Sequence, residues 1–305
     1  MSNTSPKTFH YTDYADIDYQ SDHVIVLDHL NGFTSQYHND ILARLNQHPQ
    51  RVGTHYIFDE RVKNKYSNLD LYHVEFFPTI KFMEQDHVST DKRFKNFVCS
   101  FNGTDSVARQ FLTSALYKQG LFKTDYCSKN FVYDEDRLDG NIQQYCSGDT
   151  ERYIRKFFVG NPEFYQQIHS FDYAPYAHSN NINILLDKIN GSFVQLVTET
   201  IGESYYPWLT EKIIYPIATR SLWVAYAQPG YYKFLETECG FRPYTKIFDY
   251  SFDQQTNPVL RVLELLDTIT KFRFLSSADW HDLYLLEQDT IEHNYDQYYS
   301  GRYRP

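Results

Sequence analysis

Three short stretches carry residue types that could do chemistry. Thr210-Glu211-Lys212 precedes the apolar run Ile213-Ile214-Tyr215-Pro216-Ile217-Ala218, which is the pattern of a helix start with Thr210 as its cap. Glu211 suits the positive end of the helix dipole and Lys212 does not. Adjacent helical residues point about 100° apart, so these two do not pair; they can touch different parts of one extended ligand. A carboxylate accepts hydrogen bonds from both hydroxyls of a ribose, and an ammonium meets phosphates. The same pair is also at home on any solvated helix. Gln228-Pro229-Gly230 leads from an apolar run into a helix start, a turn that could present amides to a phosphate or merely connect two elements. Arg109 falls in the first turn of a helical segment, where a cation opposes the dipole. An anionic partner explains it better than helix stability does, with a solvated or salt-bridged arginine as the competing account. Glu199 stands at the end of an apolar run, at the same kind of edge.

Weaker signals surround these. Glu203 and Glu211 are separated by seven residues, the spacing of some retaining sugar transferases and one that also recurs by chance. The histidines are scattered (His29, His55, His73, His169, His178) and form no metal-like cluster. The sequence contains no Walker loop, no G-x-G-x-x-G and no G-x-S-x-G, which argues against NTPase, dehydrogenase and α/β-hydrolase chemistry. No metal site is expected. Asp134-Glu135-Asp136 lies in an irregular segment and reads as a solvated loop.

The elements that must position these residues centre on 193–241. Phe193–Thr200 and Ser221–Ala227 are apolar runs with little alternation, as in parallel strands buried on both faces. Between them lies a polar loop and the 210–218 helix, which Pro216 should bend. In such sheets ligands sit beyond the carboxyl ends of the strands, where Glu199, Glu211, Lys212 and Gly230 fall. Upstream, 95–101 reads as a strand, 102–105 as turn and cap, 106–119 as a helix closed by Gly120, and 182–189 as a helix ended by Asn190-Gly191. Downstream, 232–238 is a short helix stopped by Gly240. Asn257-Pro258 opens a helix to about 272, and Ser277 caps a last helix to about Tyr298. Before residue 95, strands are expected at 23–28, 54–58 and 69–77, the last ended by Pro78, with a helix over 35–45. Residues 1–20 read as a poorly ordered lead-in, and 125–180 as irregular.

The chain has 305 residues and a formal charge of −10, so bulk affinity for nucleic acid is not expected and any such contact needs a local basic groove. With 28 Tyr and 23 Phe the chain is rich in rings, which serve packing first and base or sugar stacking second. Cys99, Cys127, Cys146 and Cys239 show no C-x-x-C spacing and read as reduced thiols. The N-terminus has no apolar signal core and no run reaches the ~18 residues of a membrane span. A soluble, cytoplasmic protein without a membrane partner is expected.

The block Leu196-Val-Thr-Glu-Thr200, Leu209-Thr-Glu-Lys212, Tyr215-Pro-Ile-Ala218, Pro229-Gly230, Glu238-Cys-Gly-Phe241, Phe248–Asp253 and Arg261 resembles a glycosyltransferase-like family of tailed bacteriophages and large viruses. It is distantly similar to the donor-binding half of α-1,3-fucosyltransferases, which carry a comparable T-E-K helix. Lys95–Leu121, with Asn102 and Arg109, resembles the opening of that half. The resemblance covers about 95–265, and the chain departs from the viral pattern at Trp208, Thr219-Arg220 and Tyr231. It implies an α/β fold of GT-B type. Two Rossmann-like lobes are expected: 1–94 on the acceptor side, 95–255 around the nucleotide sugar, and 256–305 as C-terminal helices crossing back. It also implies a nucleoside diphosphate sugar as donor, with no further cofactor, and contacts from Arg109, Glu211 and Lys212 to it. Glu199 and Gly230 complete the expected donor edge. Asp28, at the end of the first expected strand, is the best-placed carboxylate for a base, or else a turn cap. A viral source would place the protein in host cytoplasm. Hydroxymethylated pyrimidines in phage DNA are then a natural acceptor, with a glycan or protein acceptor competing. The different-class alternative is a non-catalytic glycan- or DNA-binding viral protein on a transferase fold.

If DNA is the acceptor, Arg61-x-Lys63-x-Lys65, followed by Tyr66, is the densest cationic stretch of the first lobe available to bind it. Neutralising Arg61, Lys63 and Lys65 together is expected to weaken DNA binding and to flatten its salt dependence by up to ~3 contacts' worth of slope. Nucleotide binding should not change. Filter binding over a salt series reads both, and an unaltered slope would remove the assignment.

Overall fold

The computed structural model describes residues 92–103, 106–129, 131–132, 135–148, 151–152, 155–156, 162–168, 179–199 and 211–301, together with the backbone of four strands between residues 7 and 72. Those four are β1 (Lys7–His10), β2 (Val24–Leu27), β3 (Val52–His55) and β4 (Leu69–Tyr72). They form a parallel sheet in the order β1-β2-β3-β4. The strands expected near 24, 54 and 69 are therefore present. β1 corrects the expectation of an unstructured lead-in: Thr8 and Phe9 are good strand residues, but four residues are too few to give a periodic signal. The helix expected over 35–45 and Pro78 lie outside the described residues.

The second sheet is also parallel and four-stranded, in the order β6-β5-β7-β8, with β5 (Asn96–Asn102), β6 (Tyr126–Lys129), β7 (Ser192–Thr198) and β8 (Leu222–Tyr226). Every residue of β7 and β8 is buried, which is why both read as unbroken apolar runs. The helices are α1 (Val107–Lys118), α2 (Leu121–Thr124), α3 (Glu135–Tyr145), α4 (Pro162–Gln166), α5 (Ser179–Asn190), α6 (Glu211–Ala218), α7 (Tyr231–Thr237), α8 (Pro258–Thr270), α9 (Ser277–Leu286) and α10 (Gln288–Tyr299). From β5 the chain steps one way to β6, then returns past β5 to β7. Right-handed crossovers then put α1 on one face and α5 and α6 on the other. The packing follows, with α1 against α8, α5 against α6, and α10 against α6. Residues 256–301 share one core with this sheet: Trp280 of α9 stacks on Phe193 of β7, with ring centroids 5.9 Å apart.

Two boundaries differ from expectation. Ser106, not a residue of 102–105, caps α1, its hydroxyl accepting from the Arg109 amide. The last helix is two: Ser276 caps α9 in a reciprocal capping box with Asp279, and the chain breaks at Glu287 before α10. The buried Glu287 carboxylate accepts from the Lys246 amide and the Thr290 hydroxyl, tasks that draw it out of a continuous helix. Within 125–180, read as irregular, lie β6, α3 and α4. β6 is Tyr-Cys-Ser-Lys, an edge strand too polar to look like one.

The amino ends of three strands meet on Lys92. Its buried ammonium donates to Asn190 Oδ1 at 2.6 Å, the Thr219 carbonyl at 2.6 Å and Ser221 Oγ at 2.7 Å. These acceptors precede β7 and β8, and Lys92 itself precedes β5. All three are neutral, so burial pushes the Lys92 pKa down from 10.5 to about 7, opposed by Cys99 and assisted by Arg220. Because the folded value is the lower one, the unfolded chain binds more protons above pH 7, and this group makes stability rise with pH from 7 toward 10.5. Lys92→Met is expected to cost about 2 kcal/mol by leaving buried acceptors unpaired. It should also remove the Lys92 part of the change between pH 7 and about 8, where free thiols are still mostly protonated. Urea melts of both proteins at the two pH values test this; parallel pH dependences would show that Lys92 stays charged throughout.

Candidate functional site

The carboxyl ends of the second sheet hold a concentration of buried polar groups, and the pairing of the strands explains where. β5 and β7 pair from Asn96↔Ser192 to Cys99↔Gln195. Beyond that point β5 continues against β6 as far as Asn102↔Lys129, and β7 against β8 as far as Thr198↔Tyr226. At the carboxyl end of β5 and β7 the same register sets Asn102 opposite Thr198 on the two central strands. This is also where the strand order reverses, the topological switch point at which open α/β sheets bind ligands.

Side chains link the strands at this end. Thr198 Oγ1 donates to Asn102 Oδ1 at 3.1 Å, and Asn102 Nδ2 donates to Ser100 Oγ and to the Ser128 carbonyl on β6. Arg109, in the first turn of α1, reaches over the edge, and its Nη2 donates to the Thr198 carbonyl at 3.2 Å. Its exposure is 2%, so the arginine expected to meet an anion is a built part of this edge and not a solvated surface cation. Glu199, next along the chain, is 1% exposed and its amide donates to the Tyr226 carbonyl. Its Oε1 accepts from the Tyr231 hydroxyl at 2.9 Å. Burial and the neighbouring Glu199 charge push the Tyr231 pKa well above its ordinary value, so Tyr231 is the fixed donor of that pair.

The Gly230 turn behaves differently from the phosphate-facing reading. Gly230 takes a left-handed φ of 80° at the cap of α7, which favours glycine. The amides at this turn are already engaged: Gly230 donates to the Asp253 carbonyl, while Tyr231 and Tyr232 donate to the Asp253 carboxylate at 3.0 and 3.2 Å. An internal carboxylate thus occupies the place where a phosphate was considered. Burial raises the Asp253 pKa to about 6 against the opposing pull of those amides and of Arg261. Arg261, in the first turn of α8 and 2% exposed, donates to the Gln255 carbonyl and the Tyr226 hydroxyl and lies over the Tyr226 ring.

Lys212 is the second residue of α6 and is half-buried. Pro216 lies four residues on, so the amide that residue 212's carbonyl would accept in a regular helix is missing. Glu211 opens α6, and its side chain lies outside the described residues, as do Thr210, Glu203, Asp28, Arg61, Lys63, Lys65 and Asp134. The structure thus brings Arg109 and Glu199 to one edge, places Gly230 in a turn closed by Asp253, and puts Lys212 at the start of the helix between β7 and β8. Among the described residues no group of three or more His, Cys, Asp or Glu side chains could hold a metal ion. No helix among them is long and apolar enough to cross a membrane. The four cysteines are buried and unbridged.

Four contributors were not singled out from the sequence for these tasks: Thr198, Tyr231, Asp253 and Lys129. Lys129 ends β6 with its ammonium donating to the carbonyls of Phe131 and Gln167 and lying over the Phe131 and Phe164 rings. Thr198 and Asp253 fall within the blocks that carry the resemblance and Tyr231 is a departure from it, whereas Lys129 left no signal. No family model, curated protein or solved structure matches the chain.

Asp253→Ala leaves the first-turn amides of α7 without acceptors and is expected to cost about 2 kcal/mol, with Asp253→Asn, which keeps one acceptor, costing about half as much. Urea denaturation at pH 7 gives the comparison. Equal stability of Asp253→Ala and the parent chain would mean water serves these amides as well.

Proposed function

We propose that the chain is a nucleotide-sugar-dependent glycosyltransferase of the GT-B type, moving a sugar to an acceptor hydroxyl. One observation supports this above the others: Asn102, Arg109, Thr198 and Glu199 are gathered and buried at the carboxyl ends of β5 and β7, where the strand order of the parallel sheet reverses. Parallel α/β sheets take nucleotides at that position, and the resemblance over 95–265 independently assigns Arg109, Glu211 and Lys212 to a sugar nucleotide.

In this reading the diphosphate lies across the edge between α1 and α6. Arg109 and Lys212 neutralise the charge that grows on it as the bond to the anomeric carbon breaks. Glu211 accepts from the ribose hydroxyls, and Glu199, oriented by Tyr231, borders the same crevice. A carboxylate of the first lobe, Asp28, takes the proton from the acceptor hydroxyl as its oxygen bonds to the anomeric carbon. Cationic side chains do the work a divalent ion does elsewhere, so transfer does not depend on one. The acceptor proposed is a hydroxymethylated pyrimidine of DNA, exposed from its stack before reaction.

A nucleoside diphosphate is expected to raise the melting temperature by binding the folded state. Arg109→Ala and Lys212→Ala should each reduce the shift strongly, and Lys233→Ala, on the exposed side of α7, should not. In the activity arm, a labelled sugar nucleotide is offered with hydroxymethylated DNA, unmodified DNA and glycans, in the presence of a chelator. Label on the hydroxymethylated DNA alone supports the full proposal. Label on glycan alone removes the DNA acceptor. Nucleotide binding without transfer or donor hydrolysis favours the non-catalytic alternative. No shift with any diphosphate removes the donor assignment.

A further inference from the structure

We infer that Asn102 and Thr198 are positioning residues for Arg109, forming a relay that sets the guanidinium in the crevice. The inference rests on the reading of that crevice as the diphosphate site, and the geometry behind it is independent of any ligand. Asn102 and Thr198 stand opposite one another at the carboxyl ends of β5 and β7, in the register that Asn96↔Ser192 and Cys99↔Gln195 set. Thr198 Oγ1 donates to Asn102 Oδ1, and the amide group of Asn102 is itself fixed by the Ser100 hydroxyl and the Ser128 carbonyl. Asn102 therefore spans β6, β5 and β7. The same Thr198 turns its carbonyl to Arg109 Nη2. Its side chain is bonded to the neighbouring strand β5 and its main chain to the arginine of α1. All three side chains are at most 2% exposed, so water does not readily replace a lost bond. The arginine itself comes from α1, the helix that follows β5. The carbonyl that accepts from it belongs to the residue that the Asn102–Thr198 bond holds, so that bond bears on its orientation.

The prediction separates positioning from bulk stability. Thr198→Val keeps the volume and the carbonyl and removes the hydroxyl; Thr198→Ser keeps the hydroxyl; Asn102→Ala removes the acceptor. Without ligand, the NMR signals of the Arg109 Nη hydrogens, assigned by their loss in Arg109→Lys, are expected to be resolved by slow rotation in the parent chain and in Thr198→Ser. They should merge in Thr198→Val and Asn102→Ala. With uridine or guanosine diphosphate as the probe, Thr198→Val is expected to weaken affinity about tenfold, but to have little further effect in an Arg109→Ala background. Resolved signals in Thr198→Val, or the same loss of affinity in both backgrounds, would overturn the relay. A parent chain that binds no diphosphate, yet shows the NMR contrast, would remove the donor reading and leave the relay standing.

Discussion

Burial of β7 and β8 on both faces is the constraint on which the rest of this structure depends. Strands whose side chains are all buried have no face on which to present chemistry, so polar work is confined to their ends. The two ends are treated in opposite ways. At the amino end, Lys92 ties the approaches to β5, β7 and β8 together through three short hydrogen bonds to neutral acceptors. At the carboxyl end the strands finish in buried polar side chains, Asn102, Thr198 and Glu199 among them. A lysine that closes one edge and a hydrogen-bonded polar cluster that ends the other give the sheet a direction.

This division of labour explains which parts of the fold were legible in the sequence. Where burial is complete, composition reports it: β7 and β8 announce themselves as continuous apolar runs, and Asn257-Pro258 marks the start of α8 because cap chemistry is local. Along α8 the buried Val259, Val262, Leu265, Leu266 and Ile269 recur at helical spacing. β6 was not legible because an edge strand needs only one good partner, and Tyr-Cys-Ser-Lys gets its apolar cover from distant rings. The break at Glu287 was not legible either: what ends the helix there is a bond to the amide of Lys246, 41 residues away in sequence.

The same contrast runs through the site. Arg109 could be singled out because a cation in a first helical turn is locally unfavourable, and local misfits can be seen in one dimension. Tyr231 was visible only as a departure from a pattern, yet it is the residue that orients Glu199. Asp253 gave its position but not its task. A strand end, a glycine turn and a helix start do look like a phosphate cradle; what fills this one is a carboxylate from 23 residues downstream of Gly230. A turn's capacity to bind an anion is local, whereas whether the chain supplies that anion itself is a matter of tertiary structure.

Arg109 and Arg261 bring these points together. Each stands in the first turn of its helix, against the dipole, and each is 2% exposed. The helices that carry them, α1 and α8, pack on one another. Their surroundings differ. Arg261 donates to the Tyr226 hydroxyl and the Gln255 carbonyl, covers the Tyr226 ring and lies close enough to Asp253 to oppose its protonation. It therefore has an aromatic surface and a carboxylate within the chain to justify its burial. Arg109 donates to the Thr198 carbonyl at the end of β7, so it ties the start of α1 to a strand end, while Arg261 ties the start of α8 to the Tyr226 ring and to the turn before its own helix.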